Sequence, residues 1–417
     1  MEGSALASSY GHVPELEDAA APFFPMPRAV GCPLDPAPGL AELQARGPLV
    51  RVRLWDGSTP WLVTRHAEHC ALLADRRVSA DWTRTGYPFF NKYSRDHHKQ
   101  ARFLTVMDDP EHIRLRRMIA QPFTFRTVER LRPAVQQIVD DHIDALLAGP
   151  KPADFVSGFA LPVPTIVICR KLGVPYRDHD FFQRAIATVT SRNIPDEVVA
   201  RSEGDLYRYL VRLIERKLDH PEDDMLSELA SERLATGQLS KHDTVMLVLF
   251  LLISGHETTA SMIALGTLAL LRNPGQIAVL RDADASKVAA AVDELLRYLT
   301  TVQPGRRRVV VEDIEIAGQV LRAGDGLVLP EKIGNRDESV FPGAGVLDLD
   351  RGARQQLAFG VGVHQCIGQT LARMELQVVF ATLLHRIDSL SLAVDFADVP
   401  FMDDGIGYGV NEMPVTW

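Results

Sequence analysis

The chain has 417 residues, of which 46% are hydrophobic and 24% are charged, and its formal net charge is −9. This composition excludes a disordered tail protein, a collagen-like fibre and a disulfide scaffold, and the chain is long enough to bury a core unaided. The acidic balance also disfavours a non-specific nucleic-acid binder. We therefore expect a folded protein with no nucleic-acid partner.

The N-terminal region predicts neither a secreted nor a membrane protein. Residues 1–22 include acidic side chains and lack the apolar segment of a signal peptide. The longest apolar run, 245–253, falls short of the roughly 20 residues that cross a bilayer. We interpret residues 1–22 as a flexible arm and residues 23–417 as one domain, with no membrane partner. The four cysteines, Cys32, Cys70, Cys169 and Cys366, lack disulfide or zinc spacing, which favours a reducing, cytoplasmic compartment.

The predicted elements begin with a β-hairpin and continue mainly as helices. Strands at 49–54 and 61–64 flank Asp56 and Gly57, a typical hairpin turn. Apolar periodicity predicts helices at 126–147, 154–172 (broken near Pro162 and Pro164), 196–218, 224–234 and 367–387, with a β-rich region at 308–329. Because strands and helices do not alternate regularly, the pattern predicts a mainly α protein with small β-sheets.

A long central helix is predicted between Ser240, with Asp243 in a capping-box position, and Asn273, which precedes Pro274. The stretches 245–253 and 262–271 are apolar on nearly every side, so this helix should be buried all round.

The polar run 254–259 (Ser-Gly-His-Glu-Thr-Thr) interrupts that helix at its middle. A kink with back-bonded hydroxyls is one interpretation. The other is a local opening beside a ligand, in which Glu257 and Thr258 handle protons. Six consecutive non-aliphatic positions between two apolar halves favour the second interpretation.

A glycine-rich loop with one cysteine precedes the last helix. Gly360 and Gly362 allow backbone turns that are closed to other residues. Cys366 then lies at a helix N-terminus, where N–H groups and the helix dipole stabilise a thiolate. Such a thiolate is a metal ligand or a nucleophile with His364 as its base, whereas the default for a single cysteine is an inert buried thiol. Iron ligation explains more of the chain than the other two interpretations do.

The loop resembles the haem-binding loop of the cytochrome P450 family, the haem-thiolate monooxygenases. The matching residues are Phe359, Gly360, Gly362, His364, Cys366 and Gly368. The segments 294–297 (Glu-Leu-Leu-Arg) and 254–259 resemble the family's Glu-x-x-Arg and central-helix motifs. The likeness covers nearly the whole chain and is greatest to the soluble actinobacterial branch, which oxidises secondary metabolites and foreign compounds.

This resemblance implies a single-domain P450 fold around haem b and a role for each matching residue. Cys366 would be the axial thiolate, which favours O–O cleavage, and Phe359, Gly360 and Gly368 would surround it. The haem propionates would contact His112, Arg116, Arg308 and His364. Glu294, Arg297 and Arg351 would form a buried charge network, and Glu257 and Thr258 would relay protons to the oxygen site.

The resemblance also implies partners and a substrate class. The chain would use O2 and two electrons to hydroxylate or epoxidise a hydrophobic secondary metabolite or xenobiotic. No second redox motif stands in the chain, so the electrons would come from a separate ferredoxin and its reductase, docking on Arg114, Arg116, Arg117 and Arg126. Candidate substrate contacts are Phe89, Phe90, Val302 and Ile406. We expect a monomer.

Two alternative functions and three departures from the family pattern remain open. A peroxide-driven enzyme usually lacks the acid–threonine pair, which is intact here, and a non-catalytic haem protein would not need it. Ser254 replaces a usual Ala or Gly. Arg306 stands at a commonly apolar position, where it could contact an acidic substrate, solvent or a second propionate. Glu331 and Lys332 stand where small or polar residues are usual.

Overall fold

The structure, a computed structural model, describes residues 21–28, 31, 33–97, 103–190, 194–281, 283–402 and 407–417. Cys32, Ile406 and most of the predicted N-terminal arm lie outside these residues. The described α-helices are α1 Pro38–Arg46, α2 His66–Ala74, α3 Lys92–His97, α4 Glu111–Ala120, α5 Phe125–Glu129, α6 Arg132–Ala148, α7 Pro162–Leu172, α8 His179–Thr190, α9 Asp196–Asp219, α10 Met225–Glu228, α11 Lys241–Leu271, α12 Pro274–Arg281, α13 Ala285–Leu299, α14 Glu331–Gly334 and α15 Gln369–Arg386.

The described strands form four small sheets. They are β1 Leu49–Arg51, β2 Trp61–Val63, β3 Val78–Ser79, β4 Ala153–Asp154, β5 Arg306–Val310, β6 Ile314–Ile316, β7 Gln319–Leu321, β8 Gly326–Leu329, β9 Ser391–Leu392, β10 Phe401–Met402, β11 Gly409–Val410 and β12 Pro414–Thr416. The largest sheet has the order β1-β2-β8-β5-β3, with β2 and β8 parallel and its other pairs antiparallel. The other sheets are β4-β12-β9, β6-β7 and β10-β11. The mainly α prediction with small sheets is confirmed.

Several predicted elements differ from the observed ones at their ends. The predicted hairpin forms, but its strands are shorter, and Gly57 takes a φ of 85° at its turn. The predicted helix 126–147 divides into α5 and α6, because Pro133 lies in the first turn of α6 and cannot donate to a continuing helix. The predicted break near Pro162 is present, with a π-helical turn over Val156–Ala160 before α7.

The central helix α11 is the longest described helix and lies in the main core. Its N-cap Ser240 accepts a hydrogen bond from the Asp243 N–H at 3.0 Å, as the sequence predicts. By length and composition α11 could cross a membrane, but 61% of its most apolar window is buried inside the protein. The helix is therefore a core helix of this fold.

The predicted local opening at 254–259 is absent, because α11 is helical throughout. The Thr258 hydroxyl donates to the Ser254 carbonyl at 2.8 Å, and the buried His256 ring lies 2.7 Å from the Thr165 hydroxyl. These bonds satisfy the side chains of Thr258 and His256 within a continuous helix. Burial lowers the pKa of His256 to about 4, so that ring is neutral near neutral pH.

Helix α15, which follows the cysteine loop, packs against α11, α13 and α6. The close approach to α11 depends on Gly266, because a Cβ there would overlap the Phe380 ring. The position of the cysteine loop is thereby fixed relative to the central helix.

Candidate active site

The cysteine loop folds back onto itself over residues 359–366. The Cys366 N–H donates to the Phe359 carbonyl at 2.9 Å, which closes the loop. Gly360 and Gly362 adopt φ angles of 67° and 77°, the left-handed region that favours glycine. A Cβ on Gly362 would also overlap the Leu73 carbonyl, so glycine is required there on two grounds.

The Cys366 thiol is surrounded by hydrogen-bond donors and cations. Burial raises its pKa, while the Gly368 N–H and, at longer range, Arg306, Arg116 and Arg373 oppose that rise. The Gly368 N–H acts in the direction that the sequence analysis expects of a helix end, and burial acts against it. A bound metal ion would add to these donors and cations in favouring the thiolate.

Two histidines and two arginines predicted as propionate partners converge beside this loop. The His112 and His364 ring centroids lie 4.1 Å apart. Burial lowers the pKa of both, that of His364 to about 2, where Arg308, His112 and Arg116 add to the effect. Both rings are therefore neutral hydrogen-bonding groups near neutral pH.

Arg116 and Arg308 donate only to backbone carbonyls among the described residues. Arg116 bonds to the Gln365 carbonyl at 2.6 Å, and Arg308 bonds to the Arg307 carbonyl at 2.7 Å. Burial lowers the pKa of each guanidinium. Arg308 is buried and Arg116 is half-buried, and a buried cation without a carboxylate partner is costly, so this pair is suited to an acidic group supplied by a bound molecule.

The structure brings Glu294, Arg297 and Arg351 together. The Arg297 guanidinium makes a bidentate pair with Glu294, with both N–O distances 2.7 Å, and both side chains are fully buried. Arg351 Nε adds a contact of 3.2 Å to Glu294 Oε1. Arg297 also donates to the carbonyls of Asn335, Ala344 and Val346, so the network joins α13 to the segment that precedes the cysteine loop.

One face of α11 is accessible in the middle of an otherwise buried helix. Its residues are Phe250, Ile253, Ser254, Glu257 and Thr258. They are separated by alternating intervals of three residues and one residue, which places them on one face of the helix. Gly255, which is also partly accessible, packs against Ile168 instead. The predicted proton-handling pair, Glu257 and Thr258, thus lies on the same accessible face as Ser254, the residue that replaces the family's usual Ala or Gly.

The segment 302–308 lies between this face and the cysteine loop. At one end, Val302 pairs with Gly407 in an antiparallel bridge, and a Cβ on Gly407 would lie 3.8 Å from Glu257 Oε1. At the other end, Arg306 lies against Gly360. The segment therefore joins the Glu257 region to the cysteine loop and forms one wall of a common site.

The predicted substrate contacts divide into two groups. Val302 lies beside Gly407 on the wall just described. Phe89 packs with Tyr87 and Val309, while Phe90 lies 5.0 Å from the Arg307 guanidinium. The packing thus links only Val302 to the Glu257 region, and Ile406 lies outside the described residues.

The structure adds two contacts that the sequence analysis did not predict. The Arg373 guanidinium lies 4.5 Å over the Phe359 ring and pairs with Asp293 at 3.0 Å. Its position on α15, two turns after Cys366, could have identified it. The other contact pairs Arg306 with Glu331. The sequence shows that Glu331 follows closely after an apolar strand, but it does not show that Arg306 is its partner.

Comparison with known proteins assigns the family. The family model described as "Cytochrome P450" matches residues 286–396. Cytochrome P450 CYP105Q4 of Mycobacterium marinum is 49% identical over 95% of this chain and 96% of its own length. Cytochrome P450 GfsF of Streptomyces halstedii is 50% identical over 95% of this chain and 96% of its own length.

Solved structures agree with the sequence comparison. The crystal structure of GfsF has a TM-score of 0.90 and covers 95% of this chain and 100% of its own. The mycinamicin VIII C21 methyl hydroxylase MycCI of Micromonospora griseorubida, bound to mycinamicin VIII, is 37% identical with a TM-score of 0.89, covering 95% and 100%. With the cysteine loop and the Glu294 network in place, the chain belongs to the cytochrome P450 family of monooxygenases, in its actinobacterial branch.

Proposed function

We propose that this monooxygenase binds haem b through Cys366 and oxidises a hydrophobic secondary metabolite or xenobiotic, using O2 and two electrons from a ferredoxin and its reductase. The observation that carries the proposal is the arrangement of the site. A cysteine loop surrounded by cations lies at one end of a wall, and an accessible acid–alcohol pair lies at the other.

The residues present fit haem b. Arg116 and Arg308 have no carboxylate partner among the described residues, and His112 and His364 lie beside them, so a group with two carboxylates completes the set. The half-buried Cys366 thiol, with the Gly368 N–H and nearby arginines beside it, suits a metal ion. When bound, the haem would supply the oxidising chemistry, with the thiolate favouring O–O cleavage.

Glu257 and Thr258 would move protons on the accessible face of α11. The Thr258 hydroxyl donates to the Ser254 carbonyl, which leaves its oxygen lone pairs to accept a hydrogen bond from water. The partly accessible Glu257 would exchange protons with the solution. This intact pair supports O2 chemistry over the peroxide-driven and the non-catalytic alternatives.

The wall around Val302 supports a hydrophobic substrate. Val302 and the accessible Phe250 and Ile253 are apolar, as in most small-molecule sites. The relative MycCI is a hydroxylase of mycinamicin VIII, which favours a secondary metabolite for this chain as well. Phe89 and Phe90 remain predictions from the sequence, because their described packing does not link them to the segment that contains Val302.

The basic surface around α4 and α5 supports docking of an acidic ferredoxin. Arg116 bonds to the loop residue beside Cys366, and α5 packs against α15. Arg117 and Arg126 are exposed on this side, next to Phe125, which is 70% exposed. Arg114 is engaged with Glu111 and contributes less charge to a partner.

We propose that the protein is a monomer and lies in the cytoplasm. The described cysteines Cys70, Cys169 and Cys366 are free, which suits a reducing compartment. Burial raises the pKa of Cys169 to about 12, so it is an inert thiol.

The absorption spectrum of the reduced, carbon-monoxide-treated protein tests the haem assignment. We expect a strongly red-shifted band from thiolate ligation, which Cys366→Ser should abolish. Cys70→Ser and Cys169→Ser are matched controls that should retain it. Absence of the band from haem-loaded wild-type protein would refute the proposal.

Turnover with a plant-type ferredoxin and its reductase tests the docking surface. Arg117→Glu and Arg126→Glu should weaken turnover, and wild-type turnover should fall steeply with salt because screening removes the attraction. Arg201→Glu, an exposed arginine on α9, is the control. Electrostatic docking on this surface would be excluded if turnover did not depend on salt and the three variants turned over at the same rate.

A further inference from the structure

Strand β5 carries three consecutive arginines, and alternation along the strand divides them between its two faces. Arg307 lies over two aromatic rings, 5.7 Å from Tyr87 and 5.0 Å from Phe90. Arg306 and Arg308 share the opposite face. The close approach of Arg306 to Gly360 places that face toward the cysteine loop.

Arg306 is in direct contact with the cysteine loop. A Cβ on Gly360 would lie 2.7 Å from the guanidinium carbon of Arg306 and 2.9 Å from its Nη2. Glycine at position 360 therefore serves a close approach as well as a turn. The guanidinium is also near enough to favour the charged form of Cys366.

The counter-ion of Arg306 is Glu331, which directly follows the Pro330 that ends β8. Arg306 Nη1 pairs with Glu331 Oε1, and Glu331 is 1% exposed. The second oxygen, Oε2, is buried and has no hydrogen-bond partner among the described residues. The carboxylate is thus held by one arginine and is only half satisfied.

Arg308 and Arg306 differ in whether a carboxylate offsets the charge of the guanidinium. Arg308 lies on the same face with no carboxylate in ion-pair contact among the described residues, so its guanidinium can pair with a bound acidic group. Arg306 offers a similar guanidinium, but Glu331 offsets its charge. A bound carboxylate would have to share Arg306 with Glu331.

We propose that Arg306 and Glu331 form a charge-balancing pair at the edge of the haem, in which Arg306 holds a propionate beside Arg308 and Glu331 offsets the added charge. The pair then sets both the retention of haem and its reduction potential. Arg306 is a cofactor-binding residue, and Glu331 is a positioning residue that acts through it. The inference rests on the proposed haem site.

The pair makes an opposite prediction for each partner. One-electron reduction of the ferric haem adds one negative charge to the site, so a nearby cation stabilises the reduced form and a nearby anion disfavours it. Glu331→Gln leaves Arg306 unbalanced and should raise the potential. Arg306→Gln leaves Glu331 unbalanced and should lower it. The double variant should return close to the wild-type value.

The experiment measures reduction potentials of the haem-loaded proteins against a reference dye, with dithionite as the reductant. We expect each single change to alter the reduced-to-oxidised ratio at a fixed potential about tenfold, which is about 59 mV for one electron. Arg307→Gln removes the same charge on the opposite face of β5 and is the matched control. It should change the ratio less than either single variant.

A second measurement follows transfer of haem to excess apomyoglobin. Arg306→Gln should lose haem several-fold faster than wild type, while Glu331→Gln should lose it more slowly because Arg306 is freed for the propionate. Arg306→Lys, which keeps the charge but not the bidentate geometry, should lose haem faster with little change in potential.

Several outcomes would overturn the inference. Potentials of Arg306→Gln and Glu331→Gln that match Arg307→Gln would do so, and so would shifts in the same direction. If Arg306→Gln does not fold, the isosteric Glu331→Gln decides alone, since an unchanged potential contradicts charge balance. A wild-type protein without the thiolate carbon-monoxide band would instead refute the proposed function.

Discussion

Among the described residues, the buried carboxylates of Glu294 and Glu331 both pair with arginine, and they differ in how fully each is satisfied. Glu294 accepts hydrogen bonds from both nitrogens of the Arg297 fork, from Arg351 and from the Asp348 N–H. Glu331 has a single cation, Arg306, and one oxygen without a partner among the described residues. A buried ion pair stabilises a fold only where its remaining hydrogen-bonding groups are satisfied. The first pair therefore suits a structural role and the second an adjustable one.

Removal of Arg297 should have the largest effect. Arg297→Leu deletes the bidentate pair and the bonds to three backbone carbonyls, and it leaves the buried carboxylate of Glu294 with Arg351 as its cation and the Asp348 N–H as a further donor. We expect a loss of about 3–5 kcal/mol in the free energy of unfolding of the haem-loaded protein, measured with guanidinium chloride.

The matched control for Arg297→Leu is Arg386→Leu. Arg386 pairs with Asp140 and Asp144 at the surface, where an ion pair contributes about 1 kcal/mol or less. Equal losses for the two variants would mean that the buried network does not carry the stability assigned to it.

Neutral replacement of the two glutamates compares the pairs directly. Glu294→Gln replaces a carboxylate oxygen by an NH2 group that faces arginine donors, and it should cost about 1.5–3 kcal/mol for each charged hydrogen bond lost. Glu331→Gln keeps an acceptor for Arg306 and should cost less than about 1 kcal/mol, because Oε2 has no hydrogen bond to lose.

Guanidinium unfolding of both glutamine variants, under the same conditions, measures this difference. A loss in Glu331→Gln as large as that in Glu294→Gln would show that the second pair is also structural. It would remove the distinction between a fixed pair and an adjustable one.

Arg351 should contribute less than Arg297 to the first pair. Its contact with Glu294 is 3.2 Å long, and it donates also to the carbonyls of Pro342, Gly343 and Val346 near the surface. Arg351→Gln leaves the bidentate Arg297 pair intact, so we expect a loss of about 1 kcal/mol in the free energy of unfolding. A loss equal to that of Arg297→Leu would indicate that the three residues act as one unit.

The first pair was partly predictable from the sequence, and the second was not. Glu294 and Arg297 stand three residues apart on one helix, a spacing that brings side chains together whatever the fold. Arg306 and Glu331 meet only because β5 and β8 pair in a particular register, Arg306 opposite Leu329, which local patterns do not specify. The same limit applies to Phe90, whose place over Arg307 depends on the sheet.

The cysteine loop was predictable for a physical reason. Gly360 and Gly362 take left-handed backbone angles, and both also permit a close approach, so few other residues fit. The pKa of Cys366 was not predictable, because it depends on how deeply the folded chain buries the thiol.

Glu375 extends the comparison to a buried carboxyl group with no ion-pair partner among the described residues. It lies on α15, 2% exposed, and its Oε2 has no hydrogen-bond partner among them. Burial raises its pKa well above the usual value of 4.5, so the folded protein holds it protonated where the unfolded chain is ionised. The contribution of Glu375 to stability is thus fully present below pH 4.5 and is lost as the pH rises toward the folded-state pKa.

Glu375→Gln should therefore be the only variant of this series that gains stability. Glutamine has a similar shape and does not ionise, so the variant should be more stable than the wild type near neutral pH. Its advantage should grow by up to about 1.4 kcal/mol per pH unit above the unfolded-state pKa, because the unfolded wild type binds fewer protons there. Guanidinium unfolding at several pH values between about 5 and 8 measures this slope. An advantage that does not change with pH would show that Glu375 is ionised in the folded protein and paired with a cation, as Glu331 is with Arg306.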